Sequence, residues 1–469
     1  MRFFYIYLLC LILFSGCQTG QKYEKPTIAV PKEWKGPFIS KKITDVDQWW
    51  EIFQDEELNS IEKKLMNRNW DIYVAIQKVL EARANAGISK SKLYPQLNAN
   101  GNYAFFQDFF KIKKLGTTPS PFGTNKVTVY AQEFLFPNLF SYELDLWGKY
   151  RAQYHSSLYK TESLEEAMHA TVLTLTAECA SYYFNLRSLT TSLEIIKKQQ
   201  EALKQQCKLQ KLRYTKGLIN EILYDSTEQQ LHTLNVKFYE LLNQKTKFEN
   251  ALATLLGEPA SSYSFKQTVF LNALPPKVPA GIPSTLLLRR PDVKQAERES
   301  ASLFSLINAS KASYFPAFNL TSGVGVFGIT LKDLFSIKSF LWQAGASLAQ
   351  FVYDAGKRKN EVEAAKAKFR QAEGAYKQKI LTALEEVETA LSALYEQNRA
   401  HYALEKNVIL AEKEAHLTQK RVTHGLSNNL DLLEKHYALL EREQEALSSR
   451  TSLYQSTIQF IKALGGGWE

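Results

Sequence analysis

The distribution of proline constrains this chain more than any other feature. All fourteen prolines of the 469 residues lie at or before Pro316, and none lies between Pro137 and Pro259. A proline inside a helix removes a hydrogen bond and clashes with the preceding turn. Two blocks, Asn138–Glu258 and Ala317–Glu469, are therefore open to very long helices. Glycine is as scarce in their helical parts. Gly217 stands alone between Lys149 and Leu256, and only Gly374 and Gly425 fall between Lys357 and Leu464. A hydrophobic content of 45% and a charged content of 23% fit an ordered, mainly helical protein.

The two blocks repeat each other. Asn69-Trp70-Asp71 corresponds to Arg290-Pro291-Asp292, and Tyr94-Pro95 to Phe315-Pro316, both at an offset of 221. Further on, Gly148-Lys149 matches Gly356-Lys357, Arg213…Gly217-Leu218 matches Arg421…Gly425-Leu426, and Leu256-Gly257 matches Leu464-Gly465, all at 208. A constant register on either side of one length change of 13 residues marks an internal duplication. Each half reads as a helix, two strands, a long helix and a shorter helix.

Apolar residues in the helices follow a strict three-four alternation, which is coiled-coil spacing. Leu189, Leu193, Ile196, Leu203 and Cys207 carry it in the long helix of the first half. Leu231, Leu234, Phe238, Leu241, Phe248, Leu252 and Leu255 carry it in the shorter one. The last helix repeats it from Leu430 through Leu433, Tyr437, Leu440, Leu447, Tyr454 and Ile458 to Ile461. A second seam of smaller residues there (Ala446, Ser449, Leu453, Ser456, Phe460) lets one helix touch two neighbours, as in a ring. A helix from about Tyr150 to Tyr214 would extend about 97 Å at 1.5 Å per residue, far beyond a ~30 Å membrane core. It must project into an aqueous space.

One motif argues for something else. Phe315–Gly328 reads FPAFNLTSGVGVFG and contains G-x-G-x-x-G, the pattern of many dinucleotide sites. Such a site needs a strand before the first glycine, a helix at the motif and an acid about twenty residues on. No helical stripe follows Gly328, and no βαβ unit surrounds it. Upstream the period is two, with Phe318, Leu320, Ser322, Val324 and Val326 on one face and Asn319, Thr321, Gly323, Gly325 and Phe327 on the other. The first half repeats this, with Leu97, Ala99, Gly101, Tyr103 and Phe105 alternating with Asn98, Asn100, Asn102 and Ala104. Returning strands are expected near Phe134–Leu144, with Phe134, Phe136, Phe140, Tyr142 and Leu144 on one face, and near Trp342–Val352. An apolar face opposite a polar, small one suits a β-barrel with lipid outside and water inside, although a half-buried soluble strand alternates in the same way. Four strands cannot close a barrel, and lipid does not tolerate an open sheet edge, so the barrel reading requires several chains.

The N-terminus is a targeting segment: Arg2, an apolar run from Phe3 to Phe14, and small residues before Cys17. Phe14-Ser15-Gly16-Cys17 resembles a bacterial lipobox, whose cysteine becomes the lipidated first residue. Phe14 departs from its usual leucine, and an ordinary secretory signal with a chance cysteine is the alternative. Gln18 stands where an inner-membrane retention signal favours Asp, so the resemblance points to the outer membrane. Cys179 and Cys207, 28 residues apart on one helix, would lie about 42 Å apart and cannot bridge. Both read as small buried residues.

The net charge of +10 is spread among acids along the helices, which suits solvated faces. The densest basic run, Lys197–Lys216, has seven basic residues and one acid. Without interleaved aromatics or a known module it gives no nucleic-acid stripe. The seven histidines form no H-E-x-x-H, Cys-His zinc spacing or nucleophile arrangement, so no enzyme, metal or cofactor is expected.

Tyr23-Glu-Lys-Pro26…Trp34, Tyr142-Glu-Leu-Asp-Leu-Trp-Gly-Lys-Tyr-Arg151, Leu288-Arg-Arg-Pro-Asp-Val-Lys-Gln-Ala-Glu297 and Tyr314-Phe-Pro316 occur in this order within the duplicated chain. Over essentially its whole mature length the sequence resembles the TolC-like outer-membrane factors, in the OprM- and NodT-like lipoprotein branch of RND efflux systems. The resemblance implies an α+β, mostly helical fold: a homotrimer with a twelve-stranded transmembrane β-barrel, four strands per chain, above a long periplasmic α-helical barrel. It implies a passive exit duct fed by an inner-membrane RND transporter through a periplasmic adaptor (membrane fusion protein), in contact with outer-membrane lipid. A type I protein-secretion channel is the alternative within this architecture, and a soluble coiled-coil scaffold the alternative outside it.

The expected divisions are a signal over 1–16, an anchored extension over 17–68, and a first repeat over 69–256. A Pro-rich equatorial linker follows over 257–289, then a second repeat over 290–464 and a tail over 465–469. By the resemblance, Arg213, Gly217, Leu218, Arg421, Gly425 and Leu426 form turns that meet the adaptor. Glycine at a helix end has a purely conformational explanation as well. Asp431 matches an acid at the closed tunnel mouth and Glu434 lies one turn on. The helix dipole alone also favours acids at such a helix start. Leu223 stands where the first half would supply an equivalent acid, so a two-layer gate is not indicated.

Overall fold

The computed structural model describes residues 20–28, 31, 33–35, 48–111, 126–265, 273–278, 289–328, 332 and 335–466. The calls on the signal peptide, on Cys17, on most of the Pro-rich linker and on the end of the tail lie outside them. Helix α1 (Glu56–Arg68) precedes the first repeat, which opens with α2 (Trp70–Ser91). Strands β1 (Gln96–Leu97), β2 (Asn102–Lys111) and β3 (Lys126–Leu144) follow, then α3 (Lys149–Thr215) and α4 (Glu221–Leu255). The second repeat runs through α5 (Pro291–Ala312), β4 (Ala317–Gly328), β5 (Phe340–Ala349), α6 (Lys357–Thr423) and α7 (Asn429–Leu464). Its α5 has the same 22 residues as α2, and α6 the same 67 as α3. The duplication is therefore structural.

The chain folds as two compact units. One comprises residues 1–25, 80–162 and 298–374; the other comprises 26–79, 163–297 and 375–469. The first holds one antiparallel sheet in which β3 pairs with β1, β2 and β4, and β4 pairs with β5. Two expectations about this sheet need correction. The first outgoing strand is broken: Asn98–Gly101 leave the ladder between β1 and β2. Opposite lies an irregularity between Phe136 and Phe140, where Pro137 cannot donate to a partner and three residues of β3 stand against one of β4, an insertion of two. An even insertion keeps each side chain on its face. Strand ends also differ, since β3 begins at Lys126, well before Phe134, and β5 stops at Ala349 rather than Val352.

The second unit holds the main core. Trp49, Trp50, Leu58, Leu65, Tyr183 and Phe184 gather with residues of α4 and α7, including Leu252 and Ile458. Phe184 stacks on Tyr454 with ring centroids 4.3 Å apart. Within it lies a buried ion pair. Asp55 caps α1 by accepting from the amides of Glu57 and Leu58 at 3.1 Å, accepts from the Tyr183 hydroxyl at 2.9 Å, and pairs with Arg187. A charged group this deep is tolerated because its lone pairs are satisfied. The seams of the last helix hold: Leu447, Tyr454, Ile458 and Ile461 are buried on one, and Ala446, Ser449, Leu453 and Phe460 on the other. Cys179 is buried as expected, whereas Cys207 is only half-buried.

Candidate functional site

The sheet register assembles one apolar face from four strands. Tyr103 pairs with Phe134, Phe134 with Val326 and Val326 with Phe340. Lower rows join Tyr142, Leu320 and Ala346, then Leu144, Phe318 and Leu348. Because side chains alternate along a strand, every residue of these rows stands on the same side. The reverse side carries Ser141, Thr321 and Gly345 in one row and Glu143, Asn319 and Ser347 in another. The apolar side is exposed where no strand covers it: Trp342 is 71% accessible and Leu348 61%. Such a face is stable against lipid and costly against water.

Aromatic side chains close the helix-side end of this sheet. Trp147 stacks on Phe315 at 4.7 Å and donates its indole N–H to the Pro316 carbonyl at 2.8 Å. Tyr142 donates to the Leu93 carbonyl at 3.1 Å. Rings with an apolar body and a polar handle suit a membrane–water boundary. Among the described residues no helix is long and apolar enough to cross a membrane.

The glycine motif belongs to this sheet. Gly325 faces Leu135 across the β3–β4 pair, and a Cβ there would lie 2.3 Å from Leu135 Cδ2 and 2.8 Å from the Phe134 carbonyl oxygen. Close strand approach requires glycine. The residue is buried beneath its neighbour rather than open at a lumen, which sharpens the sequence reading of that face.

At the far ends of the long helices the two turns are built identically. The Leu218 amide donates to the Arg213 carbonyl at 2.9 Å and the Gly217 amide to Tyr214 at 2.9 Å; Leu426 donates to Arg421 at 2.8 Å and Gly425 to Val422 at 3.0 Å. This is the Schellman arrangement, which needs a left-handed residue, and Gly217 and Gly425 have φ of 69° and 72°. The chain re-enters a helix through Asn220 and Asn428, whose side chains accept from the amides of Leu223 and Asp431 at 3.1 and 2.9 Å. The carbonyls of Arg213 and Arg421 thus anchor the turns while their side chains stay exposed. Leu218 and Leu426 are each 69% accessible, an apolar side chain held out at either tip.

Asp431 occupies the third position of α7. Ser427 donates to its carboxylate at 2.7 Å, and that bond, with the Asn428 contacts and the nearby Arg421 charge, holds the carboxyl below its ordinary value. This matches the helix-start reading, and Leu223 occupies the equivalent place in α4. Glu434 is exposed one turn on, beside Lys435, which pairs with Glu414 at 3.0 Å. Sequence reasoning missed the paired Asn220 and Asn428 caps, although an Asn immediately before each helix was there to be read.

The family model described as outer membrane efflux protein matches residues 63–258 and 282–466, one segment over each repeat. The pyoverdine export outer membrane protein OpmQ of Pseudomonas aeruginosa is 25% identical over 468 residues, covering 98% of this chain and 96% of that protein. The cation efflux system protein CusC of Escherichia coli O6:H1 is 25% identical over 463 residues, covering 97% and 96%. The open state of the Neisseria gonorrhoeae MtrE outer membrane channel superposes with a TM-score of 0.80 at 25% identity, covering 96% of this chain and 98% of that one. The chain belongs to the outer membrane efflux protein family.

Proposed function

We propose that this protein is the outer-membrane channel of a tripartite efflux system, a passive exit duct for small molecules across periplasm and outer membrane. The observation that carries it is the four-strand apolar face beside a pair of 67-residue helices. Four strands per copy and three copies give a twelve-stranded barrel, while helices of about 100 Å give the tunnel. The chain's own surfaces provide positioning and passage, with an adaptor and an inner-membrane RND transporter supplying energy. No catalytic role or cofactor is part of this reading, and no nucleic-acid partner. Relatives are named for pyoverdine export and cation efflux, both small solutes, which favours efflux over protein secretion.

Lipidation at Cys17 fits the path of the N-terminus. Gly20 packs on Asn308 of α5, 3.3 Å from its Nδ2 to an added Cβ, and Gln21 exchanges hydrogen bonds with the same side chain at 3.3 and 2.9 Å. Three residues reach at most about 11 Å from Gly20. Gly20, three residues after Cys17, thus lies against the helix that leads into β4. The processing of residues 1–16, the equatorial role of 257–289 and the tail at 465–469 belong to the same proposal.

The turns at Arg213–Leu218 and Arg421–Leu426 are proposed as the adaptor-contacting tips, carried by the exposed Leu218 and Leu426. Asp431 and Glu434 are proposed as the acids at the tunnel mouth, where their ring of like charges would favour cations. The protein should be extracted from membranes only with detergent and run as a trimer until heated. A freely soluble monomer would overturn the reading. Cys17→Ser should abolish incorporation of labelled palmitate.

A further inference from the structure

Two of the helical seams carry glutamine where the apolar repeat calls for a hydrophobic residue, Gln200 on α3 and Gln444 on α7. Both find polar partners. The Gln200 side chain donates to Asn235 Oδ1 at 2.9 Å, and the Gln444 side chain donates to Ser192 Oγ at 2.8 Å. A polar pair of this kind costs stability and fixes the register of packed helices, which is a sufficient account of Gln200. It does not account for Gln444, whose carbonyl Oε1 is buried and has no hydrogen-bond partner among the described residues. Nor does it account for Gln199, only 3% accessible, whose amide has no partner among the described residues.

Gln199 and Gln444 line one cavity of about 470 Å³, walled by α4 and α7 with α3 between them. All of its residues belong to the second unit. Leu234, packed with Ile196 and Leu203, is the aliphatic part of its lining. The rest is amide, hydroxyl and charge, with Gln229, Gln230 and Thr233 on α4 and Tyr437 and Glu441 on α7. The two walls carry opposite charges. Lys237 on α4 has no ion-pair partner among the described residues. Opposite it, Glu441 accepts from the Tyr437 hydroxyl, whose pKa is raised by burial and then by the Glu441 charge, so that it stays a donor. The second acid of this wall, Glu445, is occupied by Arg442 at 2.8 Å.

We propose that this cavity binds a dipeptide-sized zwitterion, a small amino-acid derivative carrying a carboxylate, an amide and an ammonium group. The carboxylate pairs with Lys237 and the ammonium with Glu441. Between them the ligand amide donates its N–H to Gln444 Oε1 and bonds to Gln199, which offers both a donor and an acceptor. Every unpaired group of the cavity thereby gains a partner, and a buried acceptor left without one is costly. Other classes match less well. A phosphate ester meets one lysine against a carboxylate, and a large apolar molecule leaves the buried amides unsatisfied. The inference concerns binding alone and does not depend on what the channel exports.

The test is calorimetric titration of the full-length protein in detergent with alanylglutamine, with its N-acetylated and C-amidated form, and with glucose. Alanylglutamine should bind, and the blocked form, which lacks both charges, should bind about tenfold more weakly. Lys237→Ala and Glu441→Gln, both at exposed positions, should each weaken the free dipeptide by about tenfold and leave the blocked one unchanged. Gln444→Leu should abolish binding of both forms. Gln210→Leu removes another buried glutamine of α3, one outside the cavity, and should change neither. Equal binding of the free and blocked forms, binding of glucose in place of the dipeptide, or no binding of any of the three would overturn the inference. If Gln444→Leu fails to fold, the Lys237 and Glu441 variants decide it by the same readout. No transport is measured, so a negative result leaves the channel reading standing.

Discussion

The side-chain amide of Asn69 donates to the carbonyl oxygen of Leu255 at 2.8 Å, clamping the start of α2 to the end of α4. Arg290, 221 residues on, makes the corresponding bond to Ala463 at 3.0 Å, 208 residues beyond Leu255. Different side chains thus make one joint at two places, so the carbonyl at the end of the returning helix, rather than the residue type, is the retained feature.

Asn69 also accepts from the amides of Asp71 and Ile72 at 2.8 and 3.0 Å, capping α2. Asn69→Ala removes the cap and leaves a buried carbonyl unsatisfied. It should destabilise the protein by about 1–3 kcal/mol, read as a lower denaturant midpoint. Asn69→Asp keeps the cap but not the donor, and should fall between the two.

Glu62 is fully buried in the main core, and neither carboxyl oxygen has a hydrogen-bonding partner of ordinary length. Burial drives its pKa well above the ordinary carboxylate value, with the neighbouring Cys179 thiol offsetting part of the rise. A raised acid favours folding most below its unfolded pKa, and that contribution is lost as pH climbs through the folded value. Stability should therefore decline from weakly acidic toward alkaline pH. Glu62→Met should flatten this slope and add on the order of 1–3 kcal/mol at neutral pH, measured by unfolding at several pH values.

His401, buried on α6, has a depressed pKa, chiefly from burial; Glu405 at 3.4 Å works against the shift and Arg450 reinforces it. A lowered histidine pKa means that stability present above its unfolded value is lost as pH falls through the folded one. Acid should loosen the α6–α7 pair below about pH 6.5, the ordinary histidine value. His401→Gln should remove that response, followed by amide exchange along α6. An unchanged acid profile would sink the assignment.

Gly325 and Gly345 separate two explanations of the glycine-rich strand. Gly325→Val should part β3 from β4 and abolish the heat-resistant trimer that the proposed function requires, because the space is filled by Leu135. Gly345→Ala should be tolerated, since an added Cβ meets only Thr321 Oγ1 at 3.6 Å. Equal sensitivity at both positions would contradict the packing account.

Much of this fold is legible because its rules are local. Proline placement bounds the long helices, and the glycines at 217 and 425 announce turns that only a left-handed residue can make. The break at Asn98–Gly101 is not legible because it depends on the irregularity at Pro137 in the strand opposite, and the early start of β3 because it depends on pairing with β2 as far as Lys111. Asp431 shows the limit at the site: its sequence position suits both a gate acid and a helix-start acid. The Ser427 bond reveals the second role, while the first depends on copies that a single chain cannot specify.

Deleting the gene and measuring susceptibility to a panel of small toxic compounds, together with the spectrum of secreted proteins, tests the central claim most directly. The account predicts increased susceptibility to at least one compound class, restored by the intact gene, with protein secretion unchanged. Loss of a secreted protein with susceptibility unaltered would contradict it.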